Sequence, residues 1–92
     1  MSECVRRELK IVNEKGLHAR ASAKLVEVVE GFEASAEVSR EGMSASGDSI
    51  MGLLMLAAAK GCTIDVETRG SDAEALADAI EALVSDRFGE AN

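Results

Sequence analysis

A strand pattern gives way to a helix pattern within one stretch of the chain, Gly16-Leu17-His18-Ala19-Arg20-Ala21-Ser22. Before this stretch, apolar and charged residues alternate, which predicts a strand over 5–12. Arg7 breaks the apolar parity and is expected near the open end of that strand. After the stretch, apolar residues recur at helical spacing and predict a helix over 19–30. His18, the only histidine of the chain, therefore stands at the start of a helix.

The remaining pattern predicts three more strands and two more helices. Alternation of apolar and polar residues predicts strands over 34–39, 43–45 and 62–67, the first two joined by a turn over 40–42. Helical spacing predicts a short helix over 50–56 and a longer one over 73–84. The order β-α-β-β-α-β-α indicates an α+β fold with one sheet and helices on one of its faces. The pattern leaves the strand order open, and a ferredoxin-like sheet fits the same order of elements.

Two helix ends carry specific signals. Gly31 is expected to end the first helix in the left-handed conformation, with Phe32 folding back on Val26. Ser71 and Glu74 have the spacing of a capping box, which predicts that the last helix begins directly after Ser71.

Length and composition limit the possible functions. The 92 residues suit one domain spanning 1–92, with frayed termini over 1–4 and 89–92. The net charge of -7 argues against binding to nucleic acid, because phosphate contacts need clustered lysine and arginine. The chain has no basic-then-apolar signal and no apolar run long enough to span a membrane. We therefore expect a cytoplasmic protein, and nothing in the sequence requires more than a monomer.

The two cysteines do not suggest a metal site. Cys4 and Cys62 are far apart in the sequence, no CxxC motif is present, and there is no second histidine. We therefore expect no metal, no cofactor and reduced thiols.

The chemistry of the chain is predicted to centre on His18. A lone histidine is most often structural, but this one precedes the first turn of a helix, where unpaired N–H groups and the helix dipole favour anions. Arg20 adds a cation whose fork suits phosphate oxygens. This positive environment favours a neutral imidazole, which is a nucleophile. Since the sequence shows no second base, metal cluster or nucleotide cradle, the site could carry a phosphoryl group but not take one from a nucleotide.

A second stretch, residues 48–54, is a candidate surface for partners. Ser49 is in position to cap the short helix, and a phosphate added there would be compatible with the helix N-terminus. The helix is apolar nearly all round and too short to bury every side, so Leu53 and Leu56 are expected in the core. The expected partner contacts are Ile50, Met51 and Leu54.

These two stretches resemble a known family. Residues 16–20 resemble the active-site signature of HPr, the histidine phosphocarrier of the bacterial phosphoenolpyruvate-dependent phosphotransferase system. Residues 48–53 resemble its regulatory-serine segment, at the expected distance downstream. The resemblance extends from about Leu9 to Phe88, nearly the whole chain.

The resemblance implies a fold and a mechanism. The fold would be an open-faced sandwich, a four-stranded antiparallel sheet covered on one face by three helices. His18 would accept phosphate from phospho-Enzyme I, on Nδ1, and pass it to an EIIA-type protein. Arg20 would steady the phosphoryl group, and Ser49 would match the serine modified by an HPr kinase/phosphorylase. The protein would be a phosphorylated intermediate between enzymes and not itself an enzyme.

The chain departs from the family pattern in two places and resembles one branch of the family in a third. Ala21 stands where proline is common, and Asp48 stands where a basic residue often precedes the serine, so that it would repel a serine phosphate. Residues 50–59 resemble HPr-like proteins of the nitrogen-related branch, which is regulatory.

Two alternative functions stay open at this point. One is a regulatory HPr-like binding module that acts through Ser49, although that form lacks a phosphorylatable histidine. The other is a ferredoxin-like domain for a metal or small ligand, which predicts a cluster of ligating residues.

Overall fold

The computed structural model describes residues 3–92 and has the predicted order of elements. The strands are β1 (Glu3–Lys10), β2 (Ser35–Arg40), β3 (Met43–Ser46) and β4 (Thr63–Gly70). The helices are α1 (Ala19–Glu30), α2 (Ile50–Met55) and α3 (Ala73–Ser85), followed by a 3-10 turn over Arg87–Gly89. The predicted bounds of α1 are confirmed, and those of β1 and β4 are wrong by a few residues.

The strands form one antiparallel sheet in the order β1-β4-β2-β3. Leu9 pairs with Ile64 near one end of β1 and β4, and Val38 pairs with Val66 where β2 meets β4. These apolar residues share one face of the sheet and are buried beneath the helices. The predicted α+β architecture, a four-stranded antiparallel sheet with three helices, is confirmed.

The core lies between this face of the sheet and the helices. It consists of aliphatic side chains and one aromatic ring, Phe88, which is fully buried. The largest buried aliphatic side chains of the helices and of the C-cap of α2 are Leu25, Leu53, Leu56, Leu76 and Ile80. The prediction that Leu53 and Leu56 belong to the core is confirmed.

Arg7 lies within β1, opposite Val66, and not near the end of the strand as expected. Its guanidinium is half-buried under α3 and pairs with Glu74, Asp78 and Glu81 at 2.8, 2.9 and 2.7 Å. Arg7 therefore lies on the same face of β1 as the apolar residues, because three carboxylates of α3 neutralise its charge there.

The turn over 40–42 is confirmed, and both helix-end predictions are corrected. Glu41 and Gly42 have φ of 47 and 81°, as a tight hairpin with two left-handed residues requires. Gly31 ends α1 at φ -83°, in the right-handed region, so the left-handed cap was wrong.

The capping box at the start of α3 was also wrong. The N-cap of α3 is Asp72. The Ser71 hydroxyl donates to the carbonyl of Glu33 at 3.2 Å, and the Glu33 N–H donates to the Asp72 carboxylate at 2.7 Å. Both side chains therefore connect the start of α3 to the loop after α1.

The C-terminal segment, residues 87–92, is held against the domain, whereas we expected 89–92 to be frayed. Arg87, Phe88 and Gly89 all have left-handed φ values, and they turn the chain back after α3. Lys24 of α1 donates to the carbonyl of Phe88 at 2.6 Å. At the N-terminus, Glu3 and Cys4 belong to β1, and the rest of the predicted frayed end, residues 1–2, lies outside the described residues.

Within residues 3–92, no helix is both long enough and apolar enough to cross a lipid bilayer.

Candidate functional site

The backbone before His18 is fixed by a close approach between two loops. Gly16 has a φ of 65°, and a Cβ atom at this position would lie 2.4 Å from the carbonyl oxygen of Ala58. The same carbonyl accepts a hydrogen bond from the N–H of Leu17 at 2.8 Å. Only glycine fits at position 16 without moving the loop that follows α2. The loop carrying His18 is therefore held directly against that loop.

His18 is the N-cap residue of α1, as predicted. Its backbone is extended, with φ -78° and ψ -178°, and its carbonyl accepts the N–H of Ser22 at 2.8 Å. Within the described chain, the His18 side chain makes no capping hydrogen bond. The ring is therefore free to face outward at the helix N-terminus, where backbone N–H groups favour an anion.

The ring of His18 faces a cavity of about 220 Å³ at the surface. The side chain is 27% exposed, so an incoming group could reach it. The cavity is lined by Glu14, Lys15, His18, Arg20, Glu90, Ala91 and Asn92. The structure thus brings Arg20 and His18 to one cavity, and adds residues of the C-terminal segment that the sequence analysis missed.

Arg20 is exposed at the edge of this cavity. Among residues 3–92, its guanidinium has no ion-pair partner. The other cavity cation is Lys15, whereas the nearby Glu14 pairs with Lys60 at 3.1 Å. The donors of Arg20 are therefore available for an anion bound beside His18.

Glu90 contacts His18 directly, through its Oε2 and the Nε2 of the ring. Its other oxygen, Oε1, accepts a hydrogen bond of 3.0 Å from the amide nitrogen of Asn13. Hydrogen bonds from Asn13 and then from His18 lower the pKa of Glu90 below its ordinary value. An ionised carboxylate only accepts hydrogen bonds, so Nε2 of His18 carries the proton in this contact, and in the neutral ring Nδ1 then has the free lone pair.

Asn13 connects the Glu90 carboxylate to the loop that carries His18. It is fully buried, and its amide nitrogen donates to the carbonyl of Gly16 at 2.8 Å as well as to Glu90. The sequence analysis did not select Asn13 and placed Glu90 in a frayed end. Phe88 could have indicated that the C-terminal segment is packed, because phenylalanine side chains are most often buried and the chain has only two aromatic residues. We had expected a positive environment around His18, and the Glu90 carboxylate shows that this expectation was incomplete.

Ser49 is the N-cap of α2, as predicted. Its hydroxyl oxygen accepts the N–H of Gly52 at 3.1 Å. The neighbouring Asp48 accepts a hydrogen bond from the hydroxyl of Ser46 at 2.5 Å. Ser49 does not line either of the cavities that His18 lines.

The predicted apolar patch, Ile50, Met51 and Leu54, lies on α2. Ile50 and Met51 are 40% and 70% exposed, and Leu54 is half-buried. Leu54 lines a groove together with His18, Leu17 and the loop over 57–59. The sequence analysis did not select Met55, which is 67% exposed on the same helix. The patch and the histidine therefore share one continuous part of the surface.

The described residues contain no group of three or more histidine, cysteine, aspartate or glutamate side chains arranged to hold a metal ion. Cys4 is exposed and Cys62 half-buried, and both are free thiols.

Comparison with known proteins identifies the family. A family model described as PTS HPr component phosphorylation site matches residues 5–86. The chain belongs to the HPr family of the phosphotransferase system. Phosphocarrier protein HPr of Cupriavidus necator is 45% identical over 86 residues, which cover 94% of this chain and 97% of that protein. Phosphocarrier protein NPr of Shewanella violacea is 43% identical over 86 residues, covering 94% of each chain. This HPr-family protein therefore has relatives of both names at similar identity.

Solved structures agree with this assignment. The crystal structure of HPr from Thermoanaerobacter tengcongensis superposes with a TM-score of 0.91 at 28% identity, covering 96% of this chain and 99% of that one. HPr from Bacillus anthracis superposes with a TM-score of 0.84 at 33% identity, covering 88% and 96%. The fold is thus the HPr fold, which replaces the ferredoxin-like alternative.

Proposed function

We propose that this protein is a phosphocarrier that accepts a phosphoryl group from phospho-Enzyme I on His18 and passes it to an EIIA-type protein. The observation that carries the proposal is the position of His18: a half-exposed ring at the N-terminus of α1, bound through Nε2 and facing a cavity that Arg20 also lines. Membership of the HPr family supports the same conclusion. The protein turns over no small substrate of its own and needs enzymes on both sides.

The transfer can be written with the groups present. The Nδ1 lone pair of His18 forms a bond to phosphorus while the bond between phosphorus and its donor group on Enzyme I breaks, leaving its electron pair on that donor. The ring becomes a phosphorylated imidazolium that keeps its proton on Nε2. In the second transfer a nucleophile of the EIIA-type protein forms a bond to phosphorus while the N–P bond breaks, and the electron pair of that bond returns to Nδ1. No proton has to leave the ring in either step.

Arg20 stabilises the transferring phosphoryl group. Its guanidinium lines the same cavity as His18, and a fork of N–H donors matches phosphoryl oxygens. The first N–H groups of α1 and Lys15 add further positive potential at the same place. These groups act where negative charge arrives, which is the usual source of electrostatic catalysis of phosphoryl transfer.

The apolar patch serves as the docking surface for Enzyme I and the acceptor. Ile50 and Met51 expose apolar area, and Leu54 connects the patch to the groove beside His18. Methionine side chains adapt to different partner shapes, which suits a protein that must bind two partners in turn.

Ser49 is the proposed site of regulation by an HPr kinase/phosphorylase. A phosphate there would add a charge of about -2 beside the docking surface. Incubation with ATP and such a kinase should label Ser49, and Ser49→Ala should remove the label. No label on the wild-type protein, alongside a kinase substrate that is labelled, would leave Ser49 as a helix cap only.

The function is tested by phosphoryl transfer. With phosphoenolpyruvate and Enzyme I, the protein should acquire an acid-labile, alkali-stable phosphoryl group, and His18→Ala should abolish it. The assay is run with both sugar-type and nitrogen-type Enzyme I, because relatives of both kinds resemble the chain. A His18→Ala variant that is still labelled in this way, or a wild-type protein labelled by neither enzyme, would contradict the proposal.

A further inference from the structure

The C-terminal segment, residues 87–92, is built to return to the candidate site. Arg87 and Phe88 adopt left-handed φ values of 57 and 55°, which side chains rarely adopt because Cβ approaches the backbone. Residues held in this way persist only where the surrounding structure compensates, and they are concentrated at functional sites. Gly89 continues the turn at a φ of 78°. The chain is thereby directed back towards His18.

Three contacts anchor the segment in this position. The Phe88 ring is fully buried in the core, and its carbonyl accepts a hydrogen bond of 2.6 Å from Lys24. Further along, the carbonyl of Asn92 accepts the N–H of Glu14 at 3.0 Å. Glu90 lies between these anchors, so its backbone has little freedom.

The carboxylate of Glu90 is itself held between two partners. Its side chain is only 18% exposed. Oε1 is bound by the buried Asn13, and Oε2 contacts Nε2 of His18. Asn13 in turn donates to the carbonyl of Gly16, two residues before His18. The carboxylate is therefore fixed with respect to the same loop that positions the imidazole.

We propose that Glu90 is a positioning residue for His18: its carboxylate holds the ring in the Nε2–H tautomer, with Nδ1 free, and stabilises the imidazolium formed when Nδ1 is phosphorylated. The inference rests on the proposed function of His18 and adds a partner on the opposite side of the ring. A carboxylate bound to Nε2–H favours the tautomer whose nucleophile is Nδ1. Because phosphorylation gives the ring a positive charge, the same hydrogen bond becomes charge-assisted at both ends.

The other charged groups near the ring differ in what they contact. Lys15 and Arg20 line the cavity as cations, and Lys24 is bound to the carbonyl of Phe88. Glu14 also lines the cavity, but its carboxylate pairs with the exposed Lys60. Glu14 is therefore a matched control, since it is a carboxylate of the same cavity that contacts another partner.

The first experiment measures the tautomer of His18 without any phosphoryl transfer. The ¹⁵N shifts of the His18 ring are recorded at a pH where the ring is neutral, in the wild type, Glu90→Ala and Glu14→Gln. We expect the ratio of Nε2–H to Nδ1–H tautomer to fall by about fivefold or more in Glu90→Ala, towards the ratio in a short peptide, and to stay unchanged in Glu14→Gln. An unchanged ratio in a folded Glu90→Ala variant would overturn the proposal.

The second experiment measures the equilibrium constant for phosphoryl exchange with Enzyme I. Glu90→Gln keeps an acceptor of similar size but removes the charge, so phosphorylation should become about tenfold less favourable. Glu14→Gln should change the constant by less than about twofold. If the equilibrium constant fell equally in the two variants, the effect would come from the loss of any nearby negative charge, and the proposal would be overturned. Failure of the wild type to be phosphorylated would instead overturn the proposed function, while the tautomer ratio still decides the role of Glu90.

Discussion

At the scale of single residues, His18 has a carboxylate bound to one ring nitrogen and a cation at the same cavity. Glu90 contacts Nε2, while Arg20 lines the cavity that the ring faces. In the proposed mechanism the carboxylate orients the ring and the guanidinium attracts the phosphoryl group. The imidazole alone would provide neither orientation nor affinity for an anion.

Arg20→Ala should slow phosphoryl transfer from Enzyme I by about tenfold or more, because the fork that meets the phosphoryl oxygens is lost. Since the side chain is exposed, the free energy of unfolding should change by less than about 0.5 kcal/mol. Arg69→Ala, on the exposed part of β4, is the control for loss of a positive charge. Equal transfer rates in Arg20→Ala and the wild type, measured by rapid quench, would remove Arg20 from the mechanism.

The position of His18 and Arg20 at one cavity could be predicted from the sequence because both residues lie within one local stretch. Asn13 and Glu90 could not, because they depend on a contact between residues 77 positions apart. No local pattern encodes which polar group will be buried beneath a loop. The charge surrounding His18 was therefore predicted only in part.

At the scale of elements, the start of α1 and the loop after α2 form a single unit. Gly16 lies against the carbonyl of Ala58, and Leu17 is bound to the same oxygen. Leu54 of α2 then reaches the groove that His18 lines. This contact connects the proposed docking surface to the proposed phosphorylation site.

Gly16→Ala should destabilise the protein by about 3 kcal/mol, because the new Cβ atom meets the carbonyl of Ala58 and the φ of 65° disfavours a side chain. Gly61→Ala is the matched control. It also has a positive φ, of 92°, but no heavy atom of the described chain lies within 4 Å of the added Cβ. We expect it to cost only about 1 kcal/mol. Equal losses in the two variants, measured by urea denaturation, would show that the close approach at Gly16 is unimportant.

Met51→Glu should weaken binding to Enzyme I by about tenfold, because it places a charge in the centre of the apolar patch. The side chain is 70% exposed, so the fold should be unaffected. Ala82→Glu adds the same charge to an exposed position of α3 and serves as the control. If titration calorimetry gave the same affinity for both variants, the patch would not be the docking surface.

The periodicity of the sequence was sufficient to predict α1 and the hairpin, since both depend on local geometry. It was misleading at the start of α3. Ser71 had the spacing of a capping residue, but its hydroxyl binds the carbonyl of Glu33. The N-cap is instead Asp72, which also binds this loop. Tertiary contacts thus determined which of two adjacent candidates begins the helix.

At the scale of the whole molecule, the C-terminal segment completes both the core and the candidate site. Phe88 fills the core, and Glu90 reaches His18, 72 positions earlier in the chain. The same segment, residues 87–92, therefore contacts both the core and the candidate site. The strand order and this return of the chain could not be predicted from periodicity, because both depend on long-range contacts.

Phe88→Ala should lower the free energy of unfolding by about 3–5 kcal/mol, because it leaves a cavity in the core. Phe32→Ala, at the only other phenylalanine, should cost less, since that ring is half-buried. Chemical denaturation of the two variants compares the costs directly. A loss in Phe88→Ala no larger than that in Phe32→Ala would mean that the C-terminal segment is not part of the core.

The central claim is that Nδ1 of His18 carries the phosphoryl group. It is tested most directly by ¹⁵N–³¹P NMR of the ¹⁵N-histidine-labelled protein after phosphorylation by phosphoenolpyruvate and Enzyme I. Since the chain has one histidine, the signal is assigned without ambiguity. We predict a one-bond coupling between phosphorus and Nδ1, with the proton retained on Nε2. A coupling to Nε2, or a phosphoryl group bound to no ring nitrogen, would contradict the account.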